Sequence, residues 1–159
     1  GIIMFKFSKF VLAVCVLMAG LLVGSSNLSF AGPAPQLSSM QILQVYSDGG
    51  QSSDVPANYP NAIPDGIVFT GHTLYVTTRF NGYPNWATLF YRDSSSTGSI
   101  YPYTEFSRQM IGNPARGWIQ TVEIPFTAFS GSYVSICATA DSNQGITRSA
   151  MVTNIHIQK

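Results

Sequence analysis

Cysteine almost disappears after the first thirty-one residues, and charge is sparse throughout. The chain has two cysteines, Cys15 and Cys137, and Cys15 lies within an apolar N-terminal run. The remainder therefore carries one thiol and has no internal disulfide framework. Charged residues make up 9% of the chain. Beyond residue 31, Arg79, Arg92, Arg108, Arg116, Arg148 and Lys159 face Asp48, Asp54, Asp65, Asp93, Glu105, Glu123 and Asp141, six against seven, a net charge of −1. No run of either sign occurs, and without a concentrated basic footprint nucleic acid is excluded as a partner. HExxH, GxSxG, P-loop and CxxC patterns are missing as well. So is helical periodicity beyond the N-terminal segment.

The N-terminus is different. Lys6 and Lys9 precede an unbroken apolar run from Phe10 to Val23, and Ser29-Phe30-Ala31 closes the segment with small residues at the cleavage-site positions. A cationic end, a short apolar stretch and a peptidase site in that order predict a signal peptide over residues 1–31. Met4 reads as the true start, and Gly1-Ile2-Ile3 as an upstream remnant. The apolar run falls short of the roughly 20 residues a spanning helix needs, so no stable membrane span is expected after cleavage. Leu12-Ala13-Val14-Cys15 resembles a lipid-attachment site, but Val14 is not the small residue that chemistry requires, and lipidation is disfavoured. The expected location is secreted, periplasmic or cell-surface.

Residues 32–159 are the size of one domain. Residues 32–38 predict an extended, poorly ordered N-terminal arm, because Pro33 and Pro35 oppose regular pairing. Residues 39–159 predict a single β domain. Met40 to Ser47 reads as a first strand, Gln51 to Gly66 as a long loop or an edge cover, and Ile67 to Thr70 as a short strand. In His72 to Phe80, alternation sets Leu74, Val76, Thr78 and Phe80 on one face and Thr73, Tyr75, Thr77 and Arg79 on the other. Asn81-Gly82 reads as a turn. Trp86 to Arg92 is a strand, with Ser99 to Phe106 returning beside it. Trp118 to Ile124 is another, stopped by Pro125. Tyr133 to Ala140 and Ser149 to Ile157 form a hairpin around Asp141 to Gly145, with Met151, Ile155 and Ile157 on its apolar face and His156 facing solvent. About seven strands separated by regular turn signals predict an all-β, antiparallel two-sheet sandwich.

The second half resembles a bacterial immunoglobulin-like or fibronectin type III-like module of extracellular proteins. Leu89-Phe90-Tyr91-Arg92, Trp118 to Glu123 followed by Ile124-Pro125, Gly131-Ser132-Tyr133, Ala138-Thr139-Ala140-Asp141 and Gly145 carry the likeness. It extends at most over Ile67 to Lys159. The resemblance implies a sandwich with extracellular binding, spacing or adhesion roles. Two departures stand out: Tyr133 alternates with polar Ser135, Cys137 and Thr139 rather than leading a core face, and the module is single rather than tandem.

Candidate chemistry is thin. His72 and His156 read as ordinary strand-end histidines, since a catalytic or metal role needs both to converge with a carboxylate. Asp141 and Asn143 read as turn residues rather than cation ligands. Cys137 reads as a small strand residue, with a reactive thiol or intermolecular bridge as the alternative. Neither a cofactor nor a metal is expected. Aromatics are the enriched feature: eight fall between Phe80 and Phe106. Tyr83, Trp86, Tyr91, Tyr101 and Tyr103 form the candidate binding patch, flat rings with polar rims suited to a glycan or an extracellular protein. The expected function is a secreted, non-enzymatic binding or adhesion module. The alternative is a structural subunit self-associating through strand edges, with a small hydrolase or inhibitor behind both.

Overall fold

The computed structural model describes residues 34–95 and 99–159. The leader expectation, residues 1–31, lies outside them. Pro35–Lys159 forms one compact unit. Ten strands are found among the described residues: β1 Ser39–Ser47, β2 Ser52–Asp54, β3 Val68–Phe69, β4 Thr73–Asn81, β5 Pro84–Arg92, β6 Ile100–Tyr101, β7 Thr104–Ile111, β8 Gly117–Pro125, β9 Tyr133–Ser142 and β10 Thr147–Ile157. Three of these span only two or three residues, which leaves the seven long strands of an all-β sandwich. One sheet runs β2-β1-β4-β8-β7, the other β3-β10-β9-β5-β6. All pairings between the named strands are antiparallel except β3 with β10.

Alternation decides which faces meet. Leu74, Val76, Thr78 and Phe80 of β4 are all buried, as their period of two requires. Val122 and Ile124 of β8 join them, and Val134, Ile136, Ala138 and Ala140 of β9 line the opposing sheet. Tyr133 lies 72% exposed on the polar face of β9, where its phase puts it. Pro125 ends β8, and a 3-10 turn at Phe126–Ala128 folds Phe126 and Phe129 inward.

Three expectations change and one holds. First, β10 switches face midway: Asn154 takes a positive φ of 64°, the β9–β10 register shifts between Val152 and Ile155, and Val152 replaces Met151 in the core. Second, the Asn81-Gly82 turn is present and carries the chain from β4 into β5 of the other sheet. Gly82 has φ +101°, and a side chain there would meet the Gln36 carbonyl oxygen at 2.0 Å. Third, Ser99 to Phe106 is not one returning strand. Ile100–Tyr101 pairs with β5, then the chain crosses and β7 pairs with β8 in the other sheet. Fourth, the arm is tied down from Pro35: its carbonyl accepts the Tyr83 N–H, Gln36 bridges Tyr83, and Leu37 is buried.

The Gln51 to Gly66 segment covers an edge. Its start pairs with β1 as β2. Farther on, Ile63 N–H donates to the Thr153 carbonyl, Thr153 N–H donates to the Asn61 carbonyl, and Asn154 Nδ2 donates to Ile63 O and Asp65 Oδ1. The loop thus satisfies the backbone of β10 around its bulge.

Candidate functional site: aromatic rows on the outer sheet face

Few charged groups are placed to do chemistry. Asp48 Oδ1 accepts the backbone N–H groups of His72 and Thr73, at 2.8 and 3.0 Å, and fixes the entry to β4. Those bonds, from Thr73 first and His72 next, hold its carboxyl below the usual aspartate range. His72 Nδ1 stands 3.9 Å from the same carboxylate, while His156 stacks on Tyr133 with centroids 4.4 Å apart. Asp141 Oδ1 accepts the Thr147 hydroxyl across the β9–β10 turn. Among the described residues no group of three His, Cys, Asp or Glu side chains could hold a metal ion.

The five aromatics of the candidate patch do not share an exposed face. Tyr91 is a core residue, and its hydroxyl links the two sheets. It donates to Gln120 Oε1 at 3.2 Å, so the Thr78 hydroxyl, 3.3 Å away, is left to donate to it. Burial pushes the Tyr91 phenol far above its ordinary pKa. Tyr101 is buried edge-on against Phe129, and burial, reinforced by the Asp93 charge, raises its phenol to about 12. Tyr103 is half-buried, edge-on to Tyr91, and donates to the Leu89 carbonyl. Tyr83 and Trp86 pack edge-on to Trp118 at the other end of β5, with Trp86 also against Phe80. The Arg108 guanidinium covers the Trp86 ring at 3.8 Å. Strand face, not aromatic enrichment, decides which of these rings are buried.

A different aromatic row lies on the outer face of the β2-β1-β4-β8-β7 sheet. Tyr46 of β1 and Tyr75 of β4 are direct cross-strand partners, stacked with centroids 4.7 Å apart and planes 6° from parallel. Tyr75 alternates with buried Leu74 and Val76, so it points away from the core. Across β4, Tyr75 faces Glu123 of β8, which in turn faces Thr104 of β7. Phe106 sits where the β7–β8 register slips between Glu105 and Ser107. The irregularity turns its ring onto Tyr75 edge-on at 5.2 Å while leaving it 57% exposed. Partial burial, followed by the Tyr75 and Glu123 charges, raises the Tyr46 phenol. One row along, Gln44, Thr77, Thr121 and Ser107 are successive cross-strand partners, with the Thr77 and Thr121 hydroxyls 2.8 Å apart.

The result is a flat strip in which rings from three strands lie beside a row of hydroxyl and amide groups. It offers aromatic rings next to hydrogen-bonding groups, with Glu123 in the ring row and Asp54, the cross-strand partner of Gln44, as its carboxylates. Single-strand alternation could not reveal it, because Tyr46 and Tyr75 meet only through the β1–β4 register.

Compared with models of known protein families, residues 32–157 match a domain described as of unknown function, DUF4879. No curated protein and no solved structure matches the chain.

Proposed function

The chain belongs to the DUF4879 family, whose description carries no activity, and on that footing we propose that it is an exported, non-enzymatic binding module. Its contact surface is the Tyr46–Tyr75–Phe106 strip, and its ligand is a glycan or an extracellular protein. The observation that carries this reading is the row of outward rings packed on one another beside the Thr77–Thr121 hydroxyls. Rings held by their neighbours lose little freedom on binding, which keeps the ordering cost of a contact low.

The strand order supports an immunoglobulin-like or fibronectin type III-like assignment within the sandwich class. Taking β1, β4, β5, β6, β7, β8, β9 and β10 as A, B, C, C′, D, E, F and G yields sheets A-B-E-D and G-F-C-C′. Modules of that type serve extracellular contact, although fold alone does not set function.

Structural self-assembly through strand edges is less well supported. Three of the four sheet edges, β2, β3 and β6, are two or three residues long. The fourth, β7, has a register irregularity at Phe106, and the Glu105–Arg108 ion pair projects from the side that meets Gln120 and Trp86. Irregular pairing and inward charge both discourage a further strand from adding.

The test is a glycan array and a surface-protein capture with the parent chain and with Tyr75→Ala and Phe106→Ala. Both rings point outward, so both variants should keep the parent's circular dichroism while losing ligand signal by at least tenfold. Undiminished binding by both folded variants would refute the strip as the contact surface.

A further inference from the structure

Charge on the ring strip is one-sided. Glu123 of β8 is the cross-strand partner of Tyr75, and Asp54 of β2 is the partner of Gln44, which in turn opposes Thr77. Direct partners leave a sheet on the same face, so both carboxylates share the outer face with the rings and hydroxyls. Neither is in an ion pair, since the ion pairs among the described residues are His72–Asp48 and Arg108–Glu105. The other carboxylates there, on Asp48, Asp65, Asp93, Glu105 and Asp141, each accept a hydrogen bond from the protein. Arg79, on the same face of β4, stands one rung beyond Thr77. Its Nε donates to Asn81 Oδ1 at 3.0 Å, toward the far end of the strand and away from the rings. The strip is left with two acids and no counter-charge of its own.

We propose that the strip binds a linear polysaccharide of unacetylated amino sugars, with ammonium groups of the glycan against Glu123 and Asp54. The inference rests on the strip being the contact surface and narrows its ligand to a cationic glycan. Three features select that chemistry. Carboxylates without a counter-charge attract an ammonium ion, and a neighbouring ring adds to the attraction. The row Gln44, Thr77, Thr121 and Ser107 sets amide and hydroxyl groups along one rung, where sugar hydroxyls find donors and acceptors. Phe106, 57% exposed, gives the apolar side of a sugar ring a surface to lie on. Separation then demands a polymer. Glu123 and Asp54 are three strands and one rung apart, roughly 16 Å at ordinary sheet spacings. A single sugar does not span that distance, whereas a chain lying across the strands does. Shape favours a glycan over a basic protein segment. Protein anchors fill pockets, and the cleft of about 270 Å³ at the β1–β10 margin includes none of the strip's side chains.

The test is a calorimetric titration of the full chain with a glucosamine hexamer, its fully N-acetylated form, the matching glucose hexamer, and hexalysine. It is run at about pH 5.5, where carboxylates are ionised and sugar amines protonated. The glucosamine hexamer should bind at least tenfold more tightly than the acetylated and glucose hexamers, and added salt should weaken it. Glu123→Gln and Asp54→Asn should each weaken it about fivefold, and Tyr75→Ala at least tenfold. Neither Glu123 nor Asp54 is buried, so circular dichroism of the first two variants should match the parent. Equal binding of the acetylated hexamer, still lost in Tyr75→Ala, would overturn the amino-sugar assignment and leave the strip a glycan surface. Binding kept by Tyr75→Ala and Phe106→Ala would remove the strip itself, and this inference with it. Hexalysine bound as tightly as the glucosamine hexamer would make the partner a basic protein segment and overturn the glycan. Failure of the glucosamine hexamer to bind would overturn it too.

Discussion

Replacing Tyr91 with Phe removes one oxygen atom from the centre of the sandwich, and its cost can be worked from the bonds it makes. The ring stays, so packing against Tyr103 is kept. The hydroxyl goes, and with it the partners of Gln120 Oε1 and the Thr78 hydroxyl. Thr78 is fully buried and Gln120 is 2% exposed. A buried polar group left without a partner costs about 1–3 kcal/mol. The two bonds are long, at 3.3 and 3.2 Å, which argues for the lower part of that range and a total of about 2 kcal/mol. An unfolding entropy of about 2.1 cal/mol/K per residue, applied to the Pro35–Lys159 unit, converts this into a Tm lower by about 8 °C. Thermal and urea unfolding of Tyr91→Phe would measure it. A double-mutant cycle with Gln120→Met should show coupling above about 0.5 kcal/mol, since both residues serve one bond. A Tyr91→Phe protein as stable as the parent would refute the view that this hydroxyl links the sheets.

Three other outcomes follow from the same structure. Val76→Asp puts an unpaired carboxylate at a fully buried position and should unfold the domain, seen as lost β signal in circular dichroism. A folded variant would contradict the β4 face assignment. Gly82→Ala forces a side chain onto a φ of +101° and against the Gln36 carbonyl; it should cost about 2 kcal/mol or more and free the Pro35–Leu37 arm for limited proteolysis, with protection equal to the parent counting against that close approach. In alkali, the raised phenols of Tyr91 and Tyr101 mean that the folded state holds protons the unfolded chain releases. Stability should therefore be full below about pH 10, the ordinary tyrosine value, and fall above it. Phenolate absorbance from these two rings should appear together with loss of β signal, and their ionisation in a still-folded protein would be contrary evidence.

How much could be read in advance depended on whether a strand has one wet face. In β4, dry and wet residues alternate without interruption, and both its position and its faces were legible. In β7 they were not, because an edge strand exposed at seven of its eight residues has no buried face to generate a pattern. β10 was located correctly but misread at Met151, since one positive-φ residue, Asn154, reverses the phase. Tyr91 and Tyr101 entered the binding patch because aromatic rings crowd the segment from Phe80 to Phe106. What decides burial is which face of β5 and β6 each occupies, and that follows from pairing with β9 and packing of Phe129. The outer strip was illegible for a related reason. Its rings come from Tyr46, Tyr75 and Phe106, far apart in the chain, and register assembles them.

The guarded β7 edge bears on colloidal behaviour. At a net charge of −1 beyond residue 31, copies of this domain have almost no long-range repulsion to hold them apart. What prevents sheet-to-sheet fibre growth at high concentration is then local. It is a register irregularity and one ion pair on the one edge, among the described residues, long enough to template another strand. Two of the side chains that guard this edge are Glu105 and Arg108, and replacing both with valine should raise fibril formation in a concentrated solution, read by thioflavin fluorescence.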